Sequence, residues 1–274
     1  MERNSVDALA RLSLNQATTQ YWSVREAVEG CRQADIPWIG LWRGKVAETG
    51  LLEAARLVRE AGLRVSSLCR GGMFPATTAA ERRARIDDNL RAVDEAATLG
   101  TDVLVLVCGA APDRDLDRAR GQIEEGIAAI LPHATACGVK LGLEPLHPMF
   151  AADRSAIVTL SQALTLIDRL DSTQIGVVID VYHVWWDPEL YTQIARATGR
   201  IVGFHINDWL TPVGDTLLSR GMMGDGVIEI GRIGRAVEAA GYGGPVEVEI
   251  FNRTIWDTPG DIVLTRIKER FARL

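Results

Sequence analysis

Short apolar runs alternate with longer amphipathic ones along most of this 274-residue chain. The runs at 12–15, 38–42, 63–68, 103–107, 139–144, 175–179, 200–206 and 245–250 have the compact, mostly apolar character of strands buried on both faces. Stretches of helical period lie between them, at 23–34, 50–61, 79–99, 115–137 and 159–170, then from 187 onward, at 230–240 and at 261–274. Local signals mark the boundaries. Ser23 is placed to cap its helix, and Gly62, Gly100 and Gly138 stand where helices stop. Asp187-Pro188 reads as an N-cap followed by proline at the first helical position, and Pro132 predicts a kink inside the 115–137 helix.

Repeated strand–helix units imply a parallel sheet with right-handed crossovers. Eight units in this length predict one domain over 1–274, a single α/β (β/α)8 TIM barrel. An open dinucleotide-binding sheet would want a glycine-rich turn after its first strand, and Asn15-Gln16-Ala17-Thr18-Thr19 has none.

In such a barrel the reactive groups sit at the C-terminal ends of the strands. Those ends carry Glu144 after strand five, Asp180 after six, His205 near the end of seven and Glu249 near the end of eight. Consecutive strands would bring these side chains to one side of the mouth, where neighbouring carboxylates disfavour one another's charge. One divalent cation resolves that conflict. Three oxygen donors and one nitrogen suit Mn2+ first, with Co2+, Mg2+ or Zn2+ also compatible. Plainer readings exist for each residue. Glu249 and Glu247 could form an outward pair salt-bridged to a helix, His205 could be a hydrogen-bonded core histidine, and Asp180 could cap the next turn. Asp208 reads as structural or supporting rather than ligating.

Charge and cysteine usage narrow the field. A net charge of −6 argues against a nucleic-acid binder, which would show a basic face. The four cysteines are widely spaced with no C-x-x-C pair, and each reads as a small buried residue. The first seven residues lack the apolar core of a signal peptide, and no apolar run reaches membrane-spanning length, so a cytoplasmic protein with no membrane partner is expected. A homo-oligomer is compatible with the composition.

Taken together, Leu143-Glu144-Pro145, Asp180-Val181-Tyr182-His183, His205-Ile206-Asn207-Asp208 and Val248-Glu249-Ile250-Phe251 resemble the metal motifs of the sugar isomerase/epimerase superfamily with xylose isomerase-like barrels. Ketose 3-epimerases and inosose isomerases belong to that group. Arg220-Gly221-Met222-Met223-Gly224-Asp225-Gly226 resembles its R-x-x-x-G-x-G segment. The resemblance implies one divalent ion held by Glu144, Asp180, His205 and Glu249, with His183 and Arg220 facing substrate. Many members place a glutamate at the end of strand two, where this chain has Gly40-Leu41-Trp42-Arg43.

The chemistry that follows is isomerisation or epimerisation of a keto-sugar or keto-polyol through an enediolate stabilised by the ion. Glu144 and Glu249, on opposite sides of the centre, are the expected proton-transfer pair, with His147 or His183 as the alternative base. Arg154 reads as an anion or hydroxyl anchor. Trp22, Trp42, Trp185, Trp186 and Trp209 fall at or beyond strand ends, where aromatic faces suit the C–H faces of a sugar, whereas Trp38 reads as packing. Of the aromatics, Trp186 and Trp209 are assigned to substrate.

The runner-up is a lyase or dehydratase that eliminates from a 3-oxo-glycoside, inosose or dehydroshikimate-like substrate, with His147 protonating the leaving group. Abasic-DNA repair would need histidines after strands two to four, and the only histidines are His133, His147, His183 and His205. A ligand-binding barrel without its ion is disfavoured by the presence of all four ligand residues.

Overall fold

The computed structural model describes residues 9–274. The N-terminal segment read above as no signal peptide lies outside the described residues. Eight parallel strands close a barrel: β1 (Leu12–Asn15), β2 (Trp38–Trp42), β3 (Arg64–Gly72), β4 (Val103–Val107), β5 (Lys140–Leu143), β6 (Ile175–Asp180), β7 (Ile201–Ile206) and β8 (Val246–Val248). β1 pairs with both β2 and β8, so the sheet has no free edge.

The strands are apolar on both faces for two different reasons. Leu104 and Leu106, Leu141 and Leu143, and Val177 and Ile179 face outward into the layer shared with the helices. Cys69, Val103, Val105 and Val178 form a separate cluster inside the barrel. That interior is narrow. A Cβ on Gly142 would come within 2.7 Å of Val178 Cγ2, so the glycine is what lets a branched side chain fill the axis.

Helix starts follow the expected capping chemistry at Ser23 and Thr78, each in a reciprocal capping box with the glutamate three residues on. Gly100 closes the Ala79–Leu99 helix in the left-handed conformation. Several details differ from expectation. A helix over Arg43–Thr49 precedes the Leu51–Glu60 one, with Gly50 between them. Asp187 does not cap a helix. The chain turns at once into Val181–Val184, and the next helix, Leu190–Arg196, starts from Glu189, whose N–H donates to Asp187. Pro132 lies within the continuous Leu116–Ala136 helix. The loop after β7 forms a hairpin of Asp208–Trp209 with Arg220–Gly221 that no apolar run announced. Cys31, Cys69 and Cys108 are buried, whereas Cys137 is half-exposed, against the expectation that all four are interior. Among the described residues no helix is long and apolar enough to cross a membrane.

Candidate metal centre at the barrel mouth

Glu144 follows β5, Asp180 ends β6, His205 lies in β7 and Glu249 follows β8. The sheet's own register joins them. Asp180 stands opposite His205, Glu144 N–H donates to Leu106 O on β4, and Glu249 N–H donates to Ile206 O on β7. All four side chains are buried, and one ligand atom from each lies within 4.8 Å of the others. His205 Nδ1 is 3.6 Å from Glu144 Oε1 and 3.8 Å from Glu249 Oε2. Glu144 Oε1 and both imidazole nitrogens are buried without a hydrogen-bond partner. Orphaned donor atoms facing one another at this spacing carry a desolvation cost that a cation would offset, so the residues fit a divalent ion.

The electrostatics say the same. Burial pushes the Glu144 carboxyl up to about 7, with His205 opposing and Glu249 adding to the rise. Glu249 is equally buried, but Arg220 and His205 outweigh that penalty and hold it down at about 2. His205 moves well above its ordinary value, because Glu247, Glu144 and Glu249 overcome the burial that disfavours its charge. Positive charge is in short supply here. Arg220, the guanidinium in contact with these carboxylates, bridges Asp180 Oδ2 at 2.7 Å and Glu249 Oε2 at 2.8 Å, and is flanked by the rings of Tyr182 and Phe251. Asp180 Oδ1 accepts from Tyr182 N–H and Asn207 Nδ2, which fixes the carboxylate's rotation.

The outward glutamate pair is corrected. Period two puts Glu247 and Glu249 on the same face, and that face is the interior. Glu247 Oε2 lies 3.6 Å from His205 Nε2 and accepts from Asn15 Nδ2 at 2.9 Å. A carboxylate behind an imidazole favours the proton on Nε2 and leaves the Nδ1 lone pair toward the centre, a tautomer assigned from these neighbours. Gly40 makes room for it, since a Cβ there would fall 2.2 Å from Glu247 Oε2. Asn15, Glu247 and Asn207 were not singled out as site residues. Asn15 is the last residue of β1, a polar strand end of the kind that carries the centre on the other strands, and that is the available signal.

One wall of the mouth is aromatic. The His147 ring sits 5.6 Å from Trp186 and 5.0 Å from Trp209, and Trp209 lies 4.7 Å from Tyr182. Trp186 Nε1 donates to His183 O. His183 Nδ1 accepts from His147 N–H, while its Nε2 is 3.2 Å from Arg220 Nη2. Burial pulls the His183 pKa down to about 3, so it stays neutral, and burial also lowers that of His147. Arg154 lies 5.5 Å from the Phe150 ring, which itself contacts His183. Trp42 donates to Asn15 Oδ1 and meets Phe251 edge-on. Trp22 is not at the mouth: it packs against Gly30 and Gly260, between two outer helices. Trp38 donates to Ala10 O and stacks on Arg64, a packing role as expected.

Asp208 also keeps to a supporting role. It accepts from the backbone N–H groups of Trp209, Gly224 and Ile228, and so folds the loop that delivers Arg220. A second group of ligand-type atoms, Asp94, His133 and Cys137, lies on outer helices, where His133 Nε2 pairs with Asp94 Oδ1 at 2.7 Å.

The barrel has counterparts among known proteins. The chain belongs to the xylose isomerase-like TIM barrel family, whose model matches residues 24–269. It is similar to L-ribulose-5-phosphate 3-epimerase UlaE of Shigella sonnei (strain Ss046), 23% identical over 230 residues, 81% of this chain and 78% of that protein. Among solved structures, protein SMc04130 from Sinorhizobium meliloti 1021 is 51% identical, with a TM-score of 0.95 over 97% of this chain and 98% of that one. The IolI protein, solved with a zinc atom bound, shares the fold at 19% identity and a TM-score of 0.85 over 96% of this chain and 97% of its own.

Proposed function

We propose that this protein is a divalent-metal-dependent isomerase or epimerase acting on a keto-sugar or keto-polyol through an enediolate. The observation that carries the reading is the buried meeting of Glu144, Asp180, His205 and Glu249, with orphaned donor atoms turned toward one another. A divalent ion held by these four side chains, Mn2+ in this reading, supplies the Lewis acidity that makes a carbon next to a carbonyl acidic. The likeness to L-ribulose-5-phosphate 3-epimerase supports the same reaction class.

The chain's own residues divide the remaining work. Glu249 and Glu144 flank the centre from β8 and β5, and one takes the α-proton while the other returns it on the opposite face. Arg220 holds Asp180 and Glu249 in place by two short hydrogen bonds from one nitrogen. Its Nε is buried without a partner and is the atom free to meet a substrate oxygen. His183, neutral and enclosed, positions Arg220 and the turn that carries His147. Trp186, Trp209 and Tyr182 shield the C–H face of the carbon chain and exclude water. Elimination is the second reading, favoured by one feature: His147 Nε2 has no partner among the described residues and could protonate a leaving group. Unpaired cysteines, three of them buried, suit a cytoplasmic setting.

Incubation with Mn2+ in D2O against ketoses, inososes and 3-oxo-glycosides, followed by NMR, tests both. Metal-dependent uptake of one carbon-bound deuterium supports isomerisation or epimerisation. Release of water or aglycone marks the elimination route. Absence of exchange and of release across the panel would remove the proposal.

A further inference from the structure

Five arginines approach the mouth or the cavity beside it, and the protein answers their charges unequally. Arg220 is bound to Asp180 and Glu249. Arg43 is forked between Asp88 and Glu95, with contacts of 2.6 to 3.2 Å to four carboxylate oxygens. Arg70, Arg85 and Arg154 receive nothing comparable. The Arg70 side chain, half-buried near the end of β3, has no hydrogen bond or ion pair among the described residues; that of Arg85 has none either, but Arg85 is exposed to water. Arg154 Nε is buried without a partner, and the nearest carboxylate is that of its exposed neighbour Asp153 at 3.9 Å.

Arg70 is not simply pointing into water. It lines a cavity of about 350 Å³ with Trp42, Arg43, Met73, Arg85 and Asp88. It lies within electrostatic reach of Glu144, Arg43 and Arg154, and burial together with Arg154 pulls its pKa below the ordinary arginine value. Asp88, the one carboxylate lining the cavity, is paired with Arg43, so it leaves no acid for the half-buried Arg70. An unanswered guanidinium kept partly out of water is costly, and an entering oxyanion would remove that cost through charge-assisted, forked hydrogen bonds. The chain as a whole carries a net charge of −6, which makes this cationic pocket a local departure.

We propose that the substrate is anionic and that Arg70, assisted by Arg154, holds a phosphate or carboxylate group remote from the reacting carbons. The inference rests on the reading of the neighbouring centre as the site of proton transfer, and it adds the class of substrate that site receives. Arg70 and Arg154 are specificity residues, not catalytic ones. The uncharged strand-two end, Gly40-Leu41-Trp42, adds no further acid to a cavity whose lining carboxylate, Asp88, is already paired with Arg43.

The test uses chelator-treated full-length protein titrated calorimetrically with inorganic phosphate in one arm and acetate in the other. One saturable site is expected in at least one arm, and that arm identifies the group. Arg70→Ala is expected to weaken it at least tenfold, Arg70→Lys to restore part of the loss, and Arg154→Ala to weaken it severalfold. Thermal melts check that each variant is folded. In turnover assays Arg70→Ala is expected to raise KM for the phosphorylated or acidic ketose while leaving kcat/KM for the neutral ketose unchanged. Equal anion affinity in wild type and Arg70→Ala, or no anion site in either arm, overturns the proposal. Arg70-dependent anion binding without proton exchange on any ketose would sink the isomerase reading and leave the subsite standing. Exchange on neutral ketoses with no anion site would do the reverse.

Discussion

Strands β5 to β8 and strands β1 to β4 close one barrel with opposite inventories at their C-terminal ends. The first half presents Glu144, Asp180, His205 and Glu249, all buried and all within reach of one point. The second ends in Asn15, Trp42, Gly72 and Val107, with no carboxylate among them. The backbone does not explain the difference, since every adjacent pair is parallel and hydrogen-bonded. Charge does. Buried acids are tolerable only if they share a counter-ion, and sharing requires consecutive staves. The other half carries no such acids at its strand ends, and it brings Arg43, Arg70 and Arg85 to the cavity beside the centre.

The comparison can be broken most severely on the acidic side. Glu249→Gln is expected to lower deuterium exchange by about 10³-fold, in line with loss of a proton-transfer group, while the fold persists by circular dichroism. A variant that exchanges at the wild-type rate would take Glu249 out of the chemistry. Next comes Glu247→Gln, which leaves the four-residue centre intact but removes the carboxylate behind His205. Its metal affinity is expected to fall about 10- to 100-fold, measured by competition with a fluorescent chelator. Gly40→Ala sharpens the point from the other half, because its Cβ would displace Glu247 and weaken the same affinity in the same direction.

Metal removal gives a smaller, global effect. Restoring Mn2+ to chelator-treated protein at about 100 times Kd is expected to add about 2.7 kcal/mol of stability, seen as a raised Tm. His205→Ala is expected to abolish that shift. The smallest effect belongs outside the barrel. His133→Ala removes an exposed pair with Asp94, costs about 0.2–1 kcal/mol, and leaves one metal per chain by elemental analysis. A drop in metal content there would mean that the outer cluster, not the mouth, holds the ion.

The barrel was legible from period and punctuation, because each strand–helix unit must bury its own apolar faces and says so locally. Errors fell where a tertiary partner decided. Asp187-Pro188 has the chemistry of a helix start, yet the turn Val181–Val184 had already set the chain's direction, and the helix begins at Glu189. Trp22 lies beyond a strand end and Trp42 at one, but Trp22 packs between helices that meet only in the folded chain. The four centre residues could be read at strand ends because a buried strand rarely ends in an acid without cause. Arg70 could not be read so. Its significance lies in having no partner, and a missing partner is visible only once every neighbour is in place.

What the linear order of residues determined here is the eight-unit alternation and the polar identity of each strand end, both consequences of short-range pattern and of the cost of burying polar groups. What only the tertiary structure decided is which of those ends share a space and which charges go unanswered. Glu247 and Glu249 are two residues apart on one strand. Closure of the barrel put one behind His205 and the other beside it. No local pattern separates them, because the distance that distinguishes their roles runs across strands and not along the chain.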